Sequence, residues 1–368
     1  MVISRRQLLQ LPIIGGLLGN NFEAYAATTL KNGIDISWLP LFEDAGGRYY
    51  TATGKPIEAF ALMKANGVSV VRIRVFVNPS YRNGRLSDAL NLAQRAKNAG
   101  IDVCLDLHFL DDWADPGKQY IPASWSNTDI QLLATQLNTY VSNTLSEFKS
   151  RNLPLAYVQL GNEITNGMLW PLGRISSNDQ YQWKNLAILY NSAVSALRST
   201  LPSAKNLLHL DAGGDAKRIR WWLMQASQYK IRDFDMVGLS YYPQWHGPLK
   251  GLQETLEMVA WEFNKPVVIA ETAYPWTTTR FGGDVLDPYT STISGYPATP
   301  SGQSAYLKKL NSIVKSLYGG NGVGVWWWEG LAGRVSANGK VVWDSGMTNS
   351  TLVNDVDKAL AALAAMKG

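Results

Sequence analysis

Two stretches of this chain end on carboxylates in a way that packing alone does not require. "LAYVQLGNE" runs from an apolar segment straight into Gly161, Asn162 and Glu163, and "PVVIAET" ends on Glu271 and Thr272. Two carboxyl groups facing one cleft are what glycosidic bond cleavage requires. One, ionised, attacks the anomeric carbon; the other, protonated, gives its proton to the leaving oxygen. That division of labour needs surroundings that push the two pKa values apart. Other chemistries have less to work with. The three histidines, His108, His209 and His246, show no HExxH or HxH spacing. A divalent metal needs several clustered oxygen or imidazole ligands, so neither a metal nor a cofactor is expected. There is no serine in a G-x-S-x-G elbow and no G-x-x-x-x-G-K-[ST] phosphate loop.

The elements that must position these groups alternate along the chain. Short β-rich runs occupy residues 32–37, 69–77, 101–108, 155–162, 206–212, 234–242, 266–272 and 322–329. Between them lie segments with helical apolar spacing, such as "LSDALNLAQRAKNAG", which stops at Gly100 as a C-cap, and "DIQLLATQLNTYVSNTLSEFKS". The seventh and eighth helical candidates are "TPSGQSAYLKKLNSIVKSL" and "LVNDVDKALAALAAM". Eight strands alternating with eight helices on one undivided core predict the α/β class and a single (β/α)8 barrel; a doubly wound open sheet is the alternative. A barrel should gather its functional residues at the C-terminal ends of the strands. Here those ends carry His108, Asn162-Glu163, "SYYPQWHG", Glu271-Thr272 and "WWWEG", whereas opposite ends such as "RNLP" and "NKP" carry only turn residues. Arg72 and Arg74 alternate onto one face of "VRIRV", and Asp106 and His108 onto one face of "DLH". Buried arginine needs a partner, so a shared polar network is expected. Arg74 and His108, nearer the mouth, are expected to orient the nucleophile, with Arg72 and Asp106 mainly structural.

Composition bounds the rest. The chain has 368 residues, 46% hydrophobic and 17% charged, with a net charge of +5. This describes a globular protein with a sizeable core, and no Lys/Arg block points to nucleic acid. Residues 1–26 read as an export signal: "SRRQLL" resembles a twin-arginine motif, an apolar segment follows from Leu8 to Leu18, and Ala24-Tyr25-Ala26 is an A-x-A-like cleavage site. The expectation is a bacterial protein exported to the periplasm or beyond, free of the membrane once processed and monomeric, with one catalytic domain over 27–368. Cys104, the only cysteine, excludes an intramolecular disulfide and is expected in the core. Fourteen Trp and 17 Tyr are enough both to fill a core and to leave flat faces for a ligand. Trp113, Tyr242, Trp245, His246, Trp276 and Trp328 all follow strand ends, which as a group favours a saccharide groove.

"GVSVVRIRVFVNP", "DLHFLDDWADPGKQYIPASW", "VQLGNEITNGMLWPLG", "FDMVGLSYYPQWHG", "VVIAET" and "YPATPSGQ" together carry a resemblance over nearly the whole chain from residue 27. The chain resembles the arabinogalactan endo-β-1,4-galactanases of glycoside hydrolase family 53, in the clan of retaining (β/α)8 glycosidases whose catalytic acids lie on strands four and seven. The resemblance implies Glu163 as acid/base and Glu271 as nucleophile. It implies that Asn162 binds the 2-hydroxyl of the sugar at the cleavage point, with Arg74 and His108 supporting the nucleophile. Trp328 would lie under that sugar, and Asp111, Trp113, Asp115, Tyr242, His246 and Trp276 would serve the groove. The implied substrate is β-1,4-galactan. Two segments depart from the family pattern: "WEGLAGRVSANGK" replaces a common "WEPAW", and "AYPWTTTRFGGDVLDPY" lacks the ligands of a calcium loop found in some bacterial members. A β-glycanase of the same clan acting on mannan, xylan or glucan, and a non-catalytic carbohydrate-binding barrel, are the alternatives.

Overall fold

The run "VVRIRV" is buried at every position, because a parallel strand in a barrel is covered by the barrel's contents on one face and by helices on the other. The computed structural model describes residues 29–80, 84–125, 128–175 and 180–368, so the expected signal at 1–26 lies outside the described residues. Its principal strands are β1 (Gly33–Asp35), β2 (Val70–Val75), β3 (Asp102–Leu107), β4 (Tyr157–Leu160), β5 (Lys205–Leu210), β6 (Met236–Ser240), β7 (Val267–Thr272) and β8 (Gly322–Trp327). Successive strands pair in parallel, and β8 returns to β1 with Trp326 opposite Gly33. The ring is closed, which decides for the barrel over the open sheet. Seven of the eight strands fall within the runs read from the sequence, and β5 starts one residue before its run, at Lys205.

Helices cover the outside. Leu86–Ala99 ends at Gly100 in the left-handed region, φ 64°, as its sequence predicts. Ile130–Ser150 starts at Asp129, whose carboxylate accepts the amides of Gln131 and Leu132. The eighth helix is a correction. Of the candidate over 352–366 only Ala361–Ala364 is α-helical, followed by a 3-10 turn at Ala365–Lys367. Asn354 explains the difference: its side-chain oxygen takes the amides of Val356 and Lys358, a local turn that competes with the helix. The segment after β8 forms a hairpin, β9 (Arg334–Ala337) and β10 (Lys340–Asp344), whose Asn338-Gly339 turn has both residues at positive φ. Among the described residues no helix is long and apolar enough to cross a membrane.

The barrel interior has two tiers. The lower is apolar, built from Val70, Cys104, Tyr157, Leu207, Met236, Val268 and Trp326, so Cys104 is core as expected. Two residues further along their strands stand Arg72, Asp106, Gln159 and His209, with Ser240 at the end of β6; all are buried polar groups forming the floor of the mouth. On β7 the alternation is interrupted. Ile269 packs with the outer core and Ala270 with the inner one, so an unbroken strand would send Glu271 outward. The register instead slips by one residue against both neighbours, Ser240 facing Glu271 and Trp327 facing Thr272. This bulge turns Glu271 into the mouth, while Thr272 faces out and meets the Tyr306 hydroxyl at 3.1 Å.

Candidate active site

Arg72 is the hub of the floor. Its Nε donates to Gln159 Oε1 at 3.1 Å and its Nη1 to Asp35 Oδ2 at 3.0 Å. Its Nη2 lies 2.8 Å from each of Asn162 Oδ1, Asp106 Oδ2 and Glu271 Oε1. The other oxygen of Glu271 receives the Tyr242 hydroxyl at 3.2 Å. Asp106 also takes the Nε2–H of His108 at 2.9 Å, since His108 Nδ1 is occupied by the Ala114 amide at 3.0 Å. Burial alone would raise the Asp106 carboxyl, but Arg72 and His108 outweigh it and hold it at about 2.

Glu163 follows β4 through Gly161, whose φ of 92° turns the chain, and is itself left-handed at φ 48°. Both side chains are largely buried, Glu163 at 9% and Glu271 at 7% exposure. Burial pushes Glu163 well above the usual carboxylate range, and the charge of Glu271 pushes it further. Burial raises Glu271 too, but the Arg72 guanidinium in contact with it opposes that rise. Glu271 is therefore the carboxyl that ionises first, and Glu163 the one that keeps its proton.

Both open into one cleft of about 500 Å³, together with Arg72, His108, Trp113, Asp115, Asn162, Asp211, Tyr242, Trp245, His246, Val285 and Trp328. The cleft thus brings together Glu163, Glu271, Asn162, His108, Trp113, Asp115, Tyr242, His246 and Trp328 from the expected set. Three expectations are corrected. Arg74 does not hold the nucleophile: its Nη2 meets Glu329 at 2.7 Å and its guanidinium lies over the Trp113 ring, 3.9 Å from the centroid. An extended arginine carries its charge well above its own Cα, so Arg72, one step lower, is the one that reaches Glu271. Asp111 lies outside the cleft, its Oδ2 accepting the Ala123 amide at 2.9 Å. Trp276 also lies outside, tied by its Nε1 to the Thr348 carbonyl at 2.8 Å.

Sequence reasoning missed Arg72 as a site residue, along with Asp211, Trp38 and Glu329. Asp211 ends "LLHLD", and Glu329 ends "WWWE"; each is a strand-end acid of the kind already found informative at 163 and 271. Glu329 is fully buried, accepts the Trp38 amide at 3.2 Å and is pushed well up by burial against the opposing charge of Arg74. Trp38, Trp113 and Trp328 pack edge to face or tilted, with centroids 5.6 to 6.0 Å apart, so Arg74 and Glu329 brace an indole wall. His246 is neutral, since burial lowers it, and its Nδ1 accepts the Tyr242 amide at 2.9 Å. Among the described residues, no three or more His, Cys, Asp and Glu side chains are grouped to hold a metal ion.

Against known proteins, the family described as glycosyl hydrolase family 53 matches residues 31–366. A probable arabinogalactan endo-beta-1,4-galactanase A of Aspergillus terreus is 35% identical over 357 residues, covering 94% of this chain and 97% of that protein. An arabinogalactan endo-beta-1,4-galactanase of Cellvibrio japonicus is 35% identical over 323 residues, covering 85% and 83% respectively. Among solved structures, one from a study of two fungal beta-1,4-galactanases superposes with a TM-score of 0.80 at 30% identity, covering 92% of this chain and 99% of that one.

Proposed function

The chain belongs to glycosyl hydrolase family 53, and we propose that within it this protein is an endo-β-1,4-galactanase that works with retention of anomeric configuration. The observation that carries the mechanism is the asymmetry of two buried carboxyl groups in one cleft. Glu271 is held by an arginine and a phenol, and Glu163 is held by neither. In the first step a Glu271 oxygen attacks the anomeric carbon as Glu163 gives its proton to the glycosidic oxygen. The glycosidic C–O bond breaks, and the departing sugar leaves as a neutral alcohol. In the second step water attacks the same carbon and Glu163, now a carboxylate, takes the water's proton. The glycosyl ester breaks and Glu271 is regenerated. Asn162 donates one amide hydrogen to the Ala114 carbonyl at 2.8 Å; its second is available for the sugar's 2-hydroxyl. Trp328 and Trp113 offer flat faces to the sugar rings.

Galactan as substrate rests on what the relatives are named for. The test is reducing-end release from linear β-1,4-galactan beside mannan, xylan and cellulose at equal protein dose. Selective release from galactan supports the proposal, and release from another polymer replaces the substrate while keeping the chemistry. Retention is tested by proton NMR of the first-formed anomer, and the covalent step by trapping with a 2-fluoro galactoside. The label should sit on the peptide that contains Glu271. We also propose export, tested by sequencing the mature N-terminus, which should fall near residue 27.

A further inference from the structure

One buried carboxylate in the cleft lacks a donor within the protein. Asp211 directly follows β5, is 8% exposed and lines the cleft. Its Oδ1 is shut off from solvent and, among the described residues, meets no hydrogen-bond donor. A buried acceptor left in that state is costly unless a ligand supplies the hydrogen. The backbone around it is well fixed. The Asp211 amide donates to Thr165 Oγ1 at 2.9 Å, two residues beyond Glu163, so the carboxylate stands against the turn that carries the acid. Glycines bring a donor to the same place. The Gly213 amide donates to the Ser240 carbonyl at 3.1 Å, and a Cβ on Gly214 would collide with the His246 carbonyl. The turns after β5 and β6 thus press together as only glycine allows, and His246 lines the cleft beside Asp211. His246 Nδ1 accepts the Tyr242 amide at 2.9 Å and burial keeps the ring neutral. Its hydrogen therefore sits on Nε2, on the far side of the ring.

Resting on the reading of Glu163 as the acid, we propose that Asp211 and His246 bind the departing sugar. Asp211 accepts a hydrogen bond from one of its hydroxyls, and His246 Nε2–H donates to another. The layout of the mouth assigns the side. Trp38 and Trp328, in contact with each other, follow β1 and β8, whereas Asp211 and His246 follow β5 and β6 on the opposite arc of the ring. The sugar under attack lies over Trp328. The glycosidic oxygen takes its proton from Glu163, so the ring that owns this oxygen leaves past Glu163, on the Asp211 side. A hydroxyl there supplies the hydrogen that the carboxylate lacks. Trp245 extends the same arc: it lines the cleft, is 53% exposed and stands edge to face with Tyr242, centroids 5.1 Å apart. It offers a flat face to a further ring of the leaving chain. The site selects a hydroxylated leaving group, which is what cutting inside a polysaccharide requires.

The test compares two leaving groups on the same galactobiosyl unit. Galactotriose releases a sugar. Cyclohexyl β-galactobioside releases an alcohol that also needs a proton from Glu163 but carries no further hydroxyl. Asp211→Ala should lower kcat/KM on galactotriose by about ten- to a hundredfold more than on the cyclohexyl substrate, the worth of a hydrogen bond to a charged group. Asp211→Asn keeps an acceptor oxygen at the same reach, should show a smaller selective loss, and serves if the alanine variant does not fold. His246→Phe should show the same selectivity at about three- to tenfold, as for a neutral donor. Equal losses on both substrates overturn the site. They would mean that Asp211 acts through the charge it sets against Glu163 or by bracing the turn. A wild-type protein silent on galactotriose sinks the galactanase reading alone. The same two leaving groups, built on the oligosaccharide that the protein does cut, then decide the site.

Discussion

Glu271 and Glu163 are the same side chain, at strand ends of the same barrel and equally buried, yet their surroundings work in opposite directions. Glu271 receives a guanidinium at 2.8 Å and a phenol at 3.2 Å. Both donate, and both favour the carboxylate. Glu163 faces the negative charge of Glu271, which favours its protonated form. One charged residue, Arg72, creates most of the difference by touching the first acid and not the second. Burial raises both carboxyl groups, so it cannot assign their roles; the partners do that.

The largest effects should come from removing the acids themselves. Glu163→Ala and Glu271→Ala should each cut kcat on polymer by about a thousandfold or more. An aryl galactoside with an activated leaving group separates them: it needs no proton, so Glu163→Ala should keep its first step and Glu271→Ala should not. Equal loss in both would break the assignment of roles. The two arginines come next. Arg72→Lys keeps the charge but loses the multi-armed grip, and should lower kcat by about ten- to a hundredfold, the worth of one charge-assisted hydrogen bond. It should also move the acidic limb of the pH–rate profile upward, because Glu271 becomes harder to ionise. Arg74→Lys should leave that limb in place and act on KM through Trp113. If the limb moves with Arg74 instead, the comparison is wrong. Tyr242→Phe removes a neutral donor from Glu271 and should cost kcat about five- to tenfold, with a smaller shift in the same direction.

What the sequence made legible follows from periodicity. Eight buried parallel strands need eight apolar runs, and those are visible without a structure. Glu163 and Glu271 were visible because a carboxylate closing such a run has no packing reason to be there. What stayed hidden depends on reach and register. Arg72 and Arg74 both point inward, and spacing could not say which guanidinium extends to Glu271. The bulge on β7 leaves no mark in "VVIAET", yet without it Glu271 would face the helices. Asp111 and Trp276 sit in the right loops and turn away to satisfy backbone groups, which composition cannot reveal. The hairpin after β8 was legible in principle from Asn338-Gly339 between β-rich segments.

The smallest expected effect concerns stability and sharpens the reading of the acidic limb. Burial would raise Asp106, but Arg72 and His108 hold it at about 2, below its ordinary 3.8. Its folded-state pKa is therefore depressed. The stability it contributes is fully present above pH 3.8 and is lost as pH falls from there toward 2, an amount of about 2 kcal/mol. Glu271, raised by burial above its ordinary 4.5, must protonate before that window is reached. Activity should thus disappear on acidification while the floor is intact, and return fully when the pH is restored. Tryptophan fluorescence and near-ultraviolet circular dichroism followed beside activity check this directly. Loss of tertiary signal in step with activity would mean that the acidic limb reports unfolding and not the nucleophile. Asp106→Asn supplies the control: without the depressed carboxyl, the pH dependence of stability between about 4 and 2 should flatten, whereas substitutions at Glu163 should leave that slope as it is.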